Sequence, residues 1–446
     1  MRRIMFVLVF MIGICLSGEE KESGIKLIPV YEKTFEDTIV DVIFDTATVS
    51  LDKAKAMGWK EEAFNEEEKA KGKVTITYPC VLITKDKISF LDKGGKEKKT
   101  ISRLVKGVKW EGKQGVKIGE GVIKVRKSKG GEYLGVVIPR EGSLLGEGIK
   151  GDFVMYRKDG KEMWRLEGVY LSDGNIIPSP NGEYAIGLPP AEYPAGAPYI
   201  YTCEGMEELK VKEWDNGWKD GYAVEDFDFS MDGRYLVVGI YKFPVRDNGF
   251  LVLFDGKGKE IWKISTDKGV SYVKISNSGK YIAVIVTDRG GGEDIVVLSR
   301  KGDLLWEKTF SHWDGHALAF DPNEEKLFIT WYNHKVYLRV YETKTGKELW
   351  RFYSDALLKN ISFVDILFPK SSLYAFLIGS GGPKDALYIV SLDGKILQKI
   401  FYKDQLFTMQ NYISEGSTRG IQLNKAKKVE VIFFNRRHLT VKTLRR

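Results

Sequence analysis

A short motif that returns every 44 to 48 residues constrains the fold of this chain more than any other feature. The motif begins with glycine and usually ends four residues later in tryptophan, and its later copies end at Trp262, Trp306, Trp350 and Gln398. An earlier copy ends at Trp164, which leaves room for one degenerate copy in between. Self-similarity with a period of about 20 to 50 residues is typical of repeat architectures. We therefore expect a series of similar units rather than one central core.

A second motif marks a tight turn ahead of each copy of the first. Its copies lie at 179–184, 230–235, 276–281, 321–326 and 369–374. Asn-Gly and Asp-Gly between alternating apolar segments indicate β-hairpins. In the unit 222–265 the pattern predicts four strands, at 224–229, 235–240, 250–254 and 260–264.

Four strands per unit at this period predict an all-β fold, a β-propeller of four-stranded blades. A chain of 446 residues exceeds the size of a single core, which agrees with radial repetition. Six complete units are predicted near 116–168, 170–214, 222–265, 269–309, 314–353 and 360–402. The tail offers three more strands, and we expect an N-terminal strand within 87–101 to close this C-terminal blade. The prediction is seven blades, with six and eight as alternatives.

The two motifs resemble known propeller repeats. The segment Tyr341-Glu-Thr-Lys-Thr-Gly-Lys-Glu-Leu-Trp350 is similar to the PQQ-like (quinoprotein-type) repeat, and the Ser-x-Asp-Gly-x-Tyr hairpin resembles WD-like and YVTN-type repeats. The resemblance covers residues 116–402. It implies that each tryptophan docks on the neighbouring blade, and it implies no specific chemistry. Quinone-dependent dehydrogenases of this class bind their cofactor and Ca²⁺ on the propeller axis, but their stacking tryptophan and calcium ligands are not identified here.

The N-terminus predicts export to the periplasm or cell surface. Arg2 and Arg3 precede an eleven-residue apolar run at 4–14. This run is too short for a membrane span, which needs about 20 residues, and it has the layout of a signal peptide over 1–18. Cys15 leaves a lipoprotein anchor open, although Ile14 occupies a position where that signal prefers a small residue. We expect contact with a membrane only through this anchor.

Residues 19–73 are predicted as a linker with a short amphipathic helix, and 74–446 as the propeller. The helix is expected within 52–71, either as a cap on the first blade or as a partner-binding arm. After removal of the signal peptide only Cys80 and Cys203 remain, and we expect both to be unpaired. A net charge of +8 spread over the chain does not form the basic face that nucleic acid requires. No cofactor is predicted.

Strand order places the long connections on one rim of the propeller. They lie at 139–151, 189–198, 242–249, 288–292 and 379–383, whereas the opposite rim is made of tight glycine turns. Function usually resides in long loops on a rigid scaffold. We therefore predict a ligand or partner surface on the long-loop rim, formed by Trp214, Trp218, Asp220, His312, Trp313, Asp314 and His316. The alternatives are that the tryptophans fill gaps between blades, or that His312, Asp314 and His316 hold a metal ion.

Alignment of the inner strands predicts a second set of candidates in the central channel. It places Glu225, Ser271, His316 and Val364 at one level, and Asp226, Tyr272, Ala317 and Asp365 at the next. From these levels we select Glu225, Asp226, Tyr272 and Asp365 as channel residues, which are either hydrated or bind a cation or cationic ligand.

The functional expectation is a non-catalytic scaffold that binds a protein or an envelope ligand on the long-loop face. The sequence shows no Gly-x-Ser-x-Gly nucleophile turn, and its glycine runs join strand to strand rather than strand to helix as a phosphate-binding loop requires. A quinoprotein-like enzyme and a carbohydrate-binding propeller that uses Trp214, Trp218 and Trp313 stay open as alternatives.

Overall fold

The structure, a computed structural model, consists almost entirely of β-strands. It describes residues 26–34, 39–112, 115–141, 143–144, 149–171, 176–187, 199–208, 222–242, 248–288, 292–310, 315–331, 337–353, 362–367, 374–380, 386–401, 421–423, 430–435 and 438–445. Their strands form four-stranded antiparallel sheets and one smaller sheet. The predicted all-β fold class is confirmed.

The first two strands belong to different sheets. β1 (Lys26–Thr34) joins the C-terminal sheet, whereas β2 (Ile39–Ser50) begins sheet 1. Sheet 1 continues through α1 (Leu51–Ala56), a 3-10 turn (Glu61–Ala63) and α2 (Glu66–Ala70) to β3 (Lys73–Thr84), β4 (Lys87–Leu91) and β5 (Glu97–Ser102).

The helical segment between β2 and β3 covers one face of sheet 1. Asn65 and Glu68 form a capping box that begins α2, and Trp59 and Phe64 are buried against the apolar side chains of β2 and β3. The region predicted as a linker thus holds two strands and a helical cap. The predicted boundary between linker and propeller, at 73/74, separates two paired strands, because β2 pairs with β3 from Ile39 to Ser50.

Sheets 2 and 3 follow, with a small sheet inserted between sheets 1 and 2. The inserted sheet contains β6 (Leu104–Gly112), β7 (Gly115–Val122) and β10 (Ser143–Leu144). Sheet 2 contains β8 (Lys124–Lys127), β9 (Tyr133–Glu141), β11 (Ile149–Arg157) and β12 (Glu162–Leu171). Sheet 3 contains β13 (Ile176–Pro178), β14 (Tyr184–Gly187), β15 (Tyr199–Thr202) and β16 (Gly205–Glu208).

Sheets 4 to 7 repeat the predicted pattern, in which consecutive strands pair in chain order. Sheet 4 contains β17 (Tyr222–Phe229), β18 (Tyr235–Lys242), β19 (Gly249–Asp255) and β20 (Glu260–Thr266). Sheet 5 contains β21 (Gly269–Ile275), β22 (Tyr281–Thr287), β23 (Glu293–Ser299) and β24 (Leu304–Phe310). Sheet 6 contains β25 (Gly315–Phe320), β26 (Lys326–Trp331), β27 (Tyr337–Glu342) and β28 (Glu348–Tyr353). Sheet 7 contains β29 (Ser362–Leu367), β30 (Tyr374–Ser380), β31 (Ala386–Ser391) and β32 (Ile396–Phe401).

The last sheet joins both ends of the chain. It contains β33 (Ile421–Leu423), β34 (Glu430–Asn435) and β35 (His438–Arg445), and β1 completes it by pairing antiparallel with β35. Closure of the C-terminal blade by an N-terminal strand is therefore confirmed. The predicted strand was wrong, because residues 87–101 form β4 and most of β5 inside sheet 1.

Apolar clusters show that sheets 1 to 7 pack face to face in chain order. The first strands of several neighbouring sheets also contact one another, as β17 and β21 do. This arrangement of four-stranded sheets, with their first strands innermost, is a β-propeller. The described residues contain eight four-stranded sheets, so the predicted count of seven is not confirmed. The additional sheet is sheet 1, whose strands the repeat motif does not mark.

Within the described residues, no helix is both long and apolar enough to cross a membrane.

Candidate functional site

Tight turns on one rim share the same hydrogen bonds. In four hairpins between first and second strands, a serine Oγ accepts the backbone N–H of a tyrosine five residues later. These pairs are Ser128–Tyr133 (3.1 Å), Ser179–Tyr184 (3.2 Å), Ser230–Tyr235 (3.0 Å) and Ser276–Tyr281 (3.1 Å). In a fifth hairpin Asp321 Oδ1 accepts from Lys326 N at 2.8 Å. The sequence analysis missed the first copy, although it carries the Ser-x-x-Gly-x-Tyr pattern.

The same turns also join neighbouring sheets. The Tyr184 hydroxyl donates to the Gly233 carbonyl oxygen at 2.9 Å. Ser278 donates its backbone N–H and its hydroxyl to the Glu324 carboxylate, at 2.5 and 2.6 Å. These contacts hold successive sheets together, and this rim therefore has an evident structural role.

The opposite rim carries the connections between second and third strands and those between sheets. Of the five predicted long loops, 189–198 lies outside the described residues, as do 243–247, 289–291 and 381–383 of three others. The predicted loop 139–151 is largely a strand extension, because Glu141 pairs with Lys150 and β10 pairs in parallel with β6. The described residues of this segment therefore pair in β-ladders.

Most of the predicted aromatic surface lies outside the described residues. This applies to Trp214, Trp218, Asp220, His312, Trp313 and Asp314. His316 lies on β25. The surface therefore stays a prediction.

Five inner strands share a β-bulge near their first residues, at the rim that carries the long connections. A β-bulge skips the residue between Val224 and Asp226, and the same shift occurs in four other first strands. The bulged residues are Val40, Glu225, Ser271, His316 and Val364. The residues that follow are Asp41, Asp226, Tyr272, Ala317 and Asp365. The two levels that sequence alignment placed side by side thus have equivalent registers, and β2 adds Asp41, which the sequence analysis missed.

Asp226 contacts the neighbouring inner strand. Its Oδ2 accepts the backbone N–H of Val273 at 2.9 Å. Burial raises the pKa of this carboxyl from 3.8 to about 6, and the nearby Asp228 carboxylate acts in the same direction. The Lys274 ammonium and the Val273 hydrogen bond oppose this shift. A carboxyl with such a pKa changes its protonation state at mildly acidic pH.

Asp228, two residues further along β17, forms an ion pair with a lysine of another sheet. It is fully buried, and Lys129 Nζ donates to its Oδ1 and Oδ2 at 2.7 and 3.0 Å. Lys129 lies in the first turn of sheet 2, so the pair spans sheets 2 and 4. Asp228 Oδ2 also accepts the N–H of Ile275 in sheet 5 at 3.0 Å. The carboxylate therefore links three sheets near their inner strands.

Asp41 has the same register as Asp226 and a lysine partner. Lys127 Nζ on β8 donates to Asp41 Oδ1 at 3.1 Å, and both side chains are at least four-fifths buried. Inner-strand carboxylates of sheets 1 and 4 thus pair with lysines of sheet 2. Of the predicted channel residues, Glu225 and Tyr272 are half-buried, and for Asp365 only the strand position is described.

The two described cysteines are free thiols in different sheets. Cys80 is buried in sheet 1, where burial raises its pKa to about 12, and Cys203 is exposed in sheet 3. In the part of the chain that the structure describes, no group of three or more His, Cys, Asp or Glu side chains could hold a metal ion.

Comparisons with known proteins add little beyond the fold. No protein-family model matches the chain, and no curated protein is similar to it. The Dos1 propeller shares 14% identity and a TM-score of 0.49, with 94% of this chain and 95% of that chain covered. BamB from Moraxella catarrhalis shares 11% identity and a TM-score of 0.46, with 94% and 100% covered. The C-terminal WD40 domain of Sif2 shares 9% identity and a TM-score of 0.48, with 94% and 98% covered. Such values carry no argument about ligand or activity.

Proposed function

We propose that this chain is an exported, non-catalytic β-propeller that binds a protein or another envelope component on its long-loop rim. The observation that carries the proposal is the bulge shared by five inner strands at that rim. Bulges re-aim side chains and are over-represented beside functional sites. Four turns of the opposite rim keep serine, glycine and tyrosine, whereas the bulge carries Val40, Glu225, Ser271, His316 and Val364. Variation at a shared backbone position suits a surface that recognises a ligand.

The rim assignment is tested by site-specific photo-crosslinking in cells of the source organism. A photoreactive amino acid replaces exposed Asn248 on the long-loop rim, and a matched variant carries it at exposed Lys257 on the tight-turn rim of the same sheet. We expect one discrete adduct at 248 that is absent at 257, and that weakens when Glu225→Lys is added. Equal adducts at both positions, or an adduct at 257 alone, would reject the long-loop rim.

The tryptophan surface has its own test. If Trp218 and Trp313 contact a ligand, the double change to serine leaves the melting temperature nearly unchanged and removes the crosslink at 248. If they fill gaps between blades, the melting temperature falls strongly, and the proposed surface is rejected.

Export and the anchor are tested by intact-mass measurement of protein purified from its own envelope. If residues 1–18 are a signal peptide, the measured mass is that of the chain without them. If the protein is a lipoprotein, the mass includes a diacylglyceryl group on Cys15. An uncut chain that still begins at Met1 would contradict export.

A further inference from the structure

Exposed apolar side chains concentrate at one place in the fold. Five large apolar side chains in the described residues are 40 to 58% exposed, and each lies near the start of the outermost strand of its sheet. They are Met163, Ile261, Leu304, Leu349 and Ile396, in sheets 2, 4, 5, 6 and 7. The start of the outermost strand lies on the tight-turn rim, because the turn between third and fourth strands precedes it. The rim opposite the proposed binding surface therefore has an exposed apolar edge.

Lysines accompany these apolar side chains in the same turns. The exposed lysines are Lys161, Lys257, Lys259, Lys301, Lys344, Lys347 and Lys395. Within the described residues, none of them forms an ion pair or a side-chain hydrogen bond. Several are close neighbours of the apolar residues in sequence, as Lys259 is of Ile261 and Lys347 is of Leu349.

The carboxylates of these turns interact with groups of their own turns and, in the described part of the chain, form no ion pair with these lysines. Asp255 Oδ1 accepts the backbone N–H groups of Lys257 and Lys259, each at 2.9 Å. Asp159 pairs with Arg157 and Asp393 accepts from the Ser391 hydroxyl. Because the acids fold back into their turns, the ammonium groups face solvent next to apolar side chains.

We propose that this basic and apolar edge binds the surface of an anionic lipid bilayer. A lysine near an anionic membrane contributes about 1 kcal/mol, and adjacent apolar side chains add affinity by entering the headgroup region. The pattern favours a bilayer over an acidic protein because it recurs in five sheets around the ring. A lipid surface with mobile charges meets many copies at once, whereas a protein partner at one blade meets one or two. The proposal does not depend on a ligand at the long-loop rim.

Among its described residues, sheet 1 has no exposed large apolar side chain at this edge, although its turn between β4 and β5 carries the exposed Lys93, Lys96 and Lys98. Its helical segment lies on the same rim and exposes Glu62, whereas Glu66 pairs with Lys69 and Glu67 with Lys71. Apolar contact is therefore assigned to sheets 2 and 4 to 7, and sheet 1 adds only charge.

The test is binding of the full chain to vesicles of phosphatidylcholine alone and of phosphatidylcholine with phosphatidylglycerol in equal parts. One variant carries Lys259→Glu and Lys347→Glu. The matched control carries Lys85→Glu and Lys242→Glu, which change the net charge equally on the opposite rim. We expect the edge variant to lose at least about fivefold in anionic partitioning for each lysine, or at least roughly 30-fold in total, because each new carboxylate is also repelled by the anionic surface. The control should lose less than about twofold.

A third variant, Ile261→Ser with Leu349→Ser, leaves the charge unchanged and is expected to bind anionic vesicles several-fold more weakly. All variants share the same N-terminus, so an apolar leader or anchor contributes equally to each. Thermal unfolding verifies that each variant is folded. If the Lys259→Glu and Lys347→Glu variant is unfolded, Lys259→Gln with Lys347→Gln replaces it. Equal wild-type binding to both vesicle types, or equal losses in the edge and control variants, would overturn the proposal. Either result leaves the crosslinking test of the long-loop rim unaffected.

Discussion

The indole of Trp306 lies against Gly346 of the following sheet and donates its Nε1–H to the Thr343 carbonyl oxygen at 2.7 Å. A Cβ on Gly346 would come within 2.6 Å of the indole ring. The same relationship recurs between Trp262 and Gly302 and between Trp350 and Gly394. The copies that end at Trp262, Trp306 and Trp350 thus supply a tryptophan to the next sheet, and the glycine of the following copy receives it. This explains why the two residues recur together along the chain.

Replacing Trp306 or Trp350 with alanine should destabilise the fold by about 3–5 kcal/mol, as other large aromatic deletions do. Trp306→Phe keeps much of the apolar contact and loses the indole hydrogen bond, so its cost should be smaller, about 1–3 kcal/mol. Chemical denaturation measures the free energy of unfolding. A negligible loss for Trp350→Ala would contradict its role between sheets.

Gly346→Ala should cost more than Gly168→Ala. Both glycines have left-handed backbone, with φ of 68° and 62°, so both changes carry a similar conformational penalty. A Cβ meets the Trp306 ring at Gly346 and meets nothing within 4 Å at Gly168. We expect about 1–2 kcal/mol for Gly168→Ala, and about 1–3 kcal/mol more for Gly346→Ala from overpacking. Equal losses in thermal or chemical unfolding would show that the indole contact is unimportant.

Asp226 should make stability depend on pH. Because burial raises its folded pKa above the ordinary 3.8, to about 6, the folded chain binds this proton more tightly than the unfolded chain. The corresponding stability is present below about pH 4 and is lost as the pH rises through about 6. Asp226→Asn keeps an oxygen acceptor for Val273 and has no charge to bury. It should be more stable than wild type above pH 6, by about 1–3 kcal/mol, with the difference shrinking towards pH 4.

Asp228→Asn should have the opposite effect. The change breaks a buried pair with Lys129, which typically costs about 3–5 kcal/mol. Denaturation curves of both variants at pH 4 and pH 7 provide the comparison. Stabilisation by Asp228→Asn at pH 7 would show that the lysine contributes nothing to the junction of sheets 2, 4 and 5.

Removal of β1 should weaken the whole ring. Truncation before Ile39 leaves β35 as an unpaired edge and opens the last sheet, so the melting temperature should fall and self-association should increase. Light scattering and thermal unfolding measure the two effects, and removal of residues 1–25 alone is the control. A truncated chain with unchanged melting temperature would refute closure through β1.

Most of the confirmed predictions were based on local sequence motifs. Ser230 and Tyr235 close a turn within six residues, so their spacing is visible in the sequence. The alignment of the inner strands agrees with their shared register, because each bulged residue lies at the same distance from the turn that follows it. Sheet 1 was overlooked because neither motif marks it. The Lys129–Asp228 pair could not be foreseen, since its members lie 99 residues apart in different sheets.

The repeated four-stranded unit, the positions of its tight turns and the tryptophans that dock on neighbouring sheets all follow from the amino-acid sequence. These features depend on turn chemistry and strand periodicity, which act over a few residues. Three features became visible only in the folded chain. They are the N-terminal strand that closes the last sheet, the separate sheet formed by residues 39–102, and the pairing of sheet 2 lysines with inner-strand carboxylates. Such contacts depend on which segments meet after the sheets have packed, and spacing along the chain does not specify that.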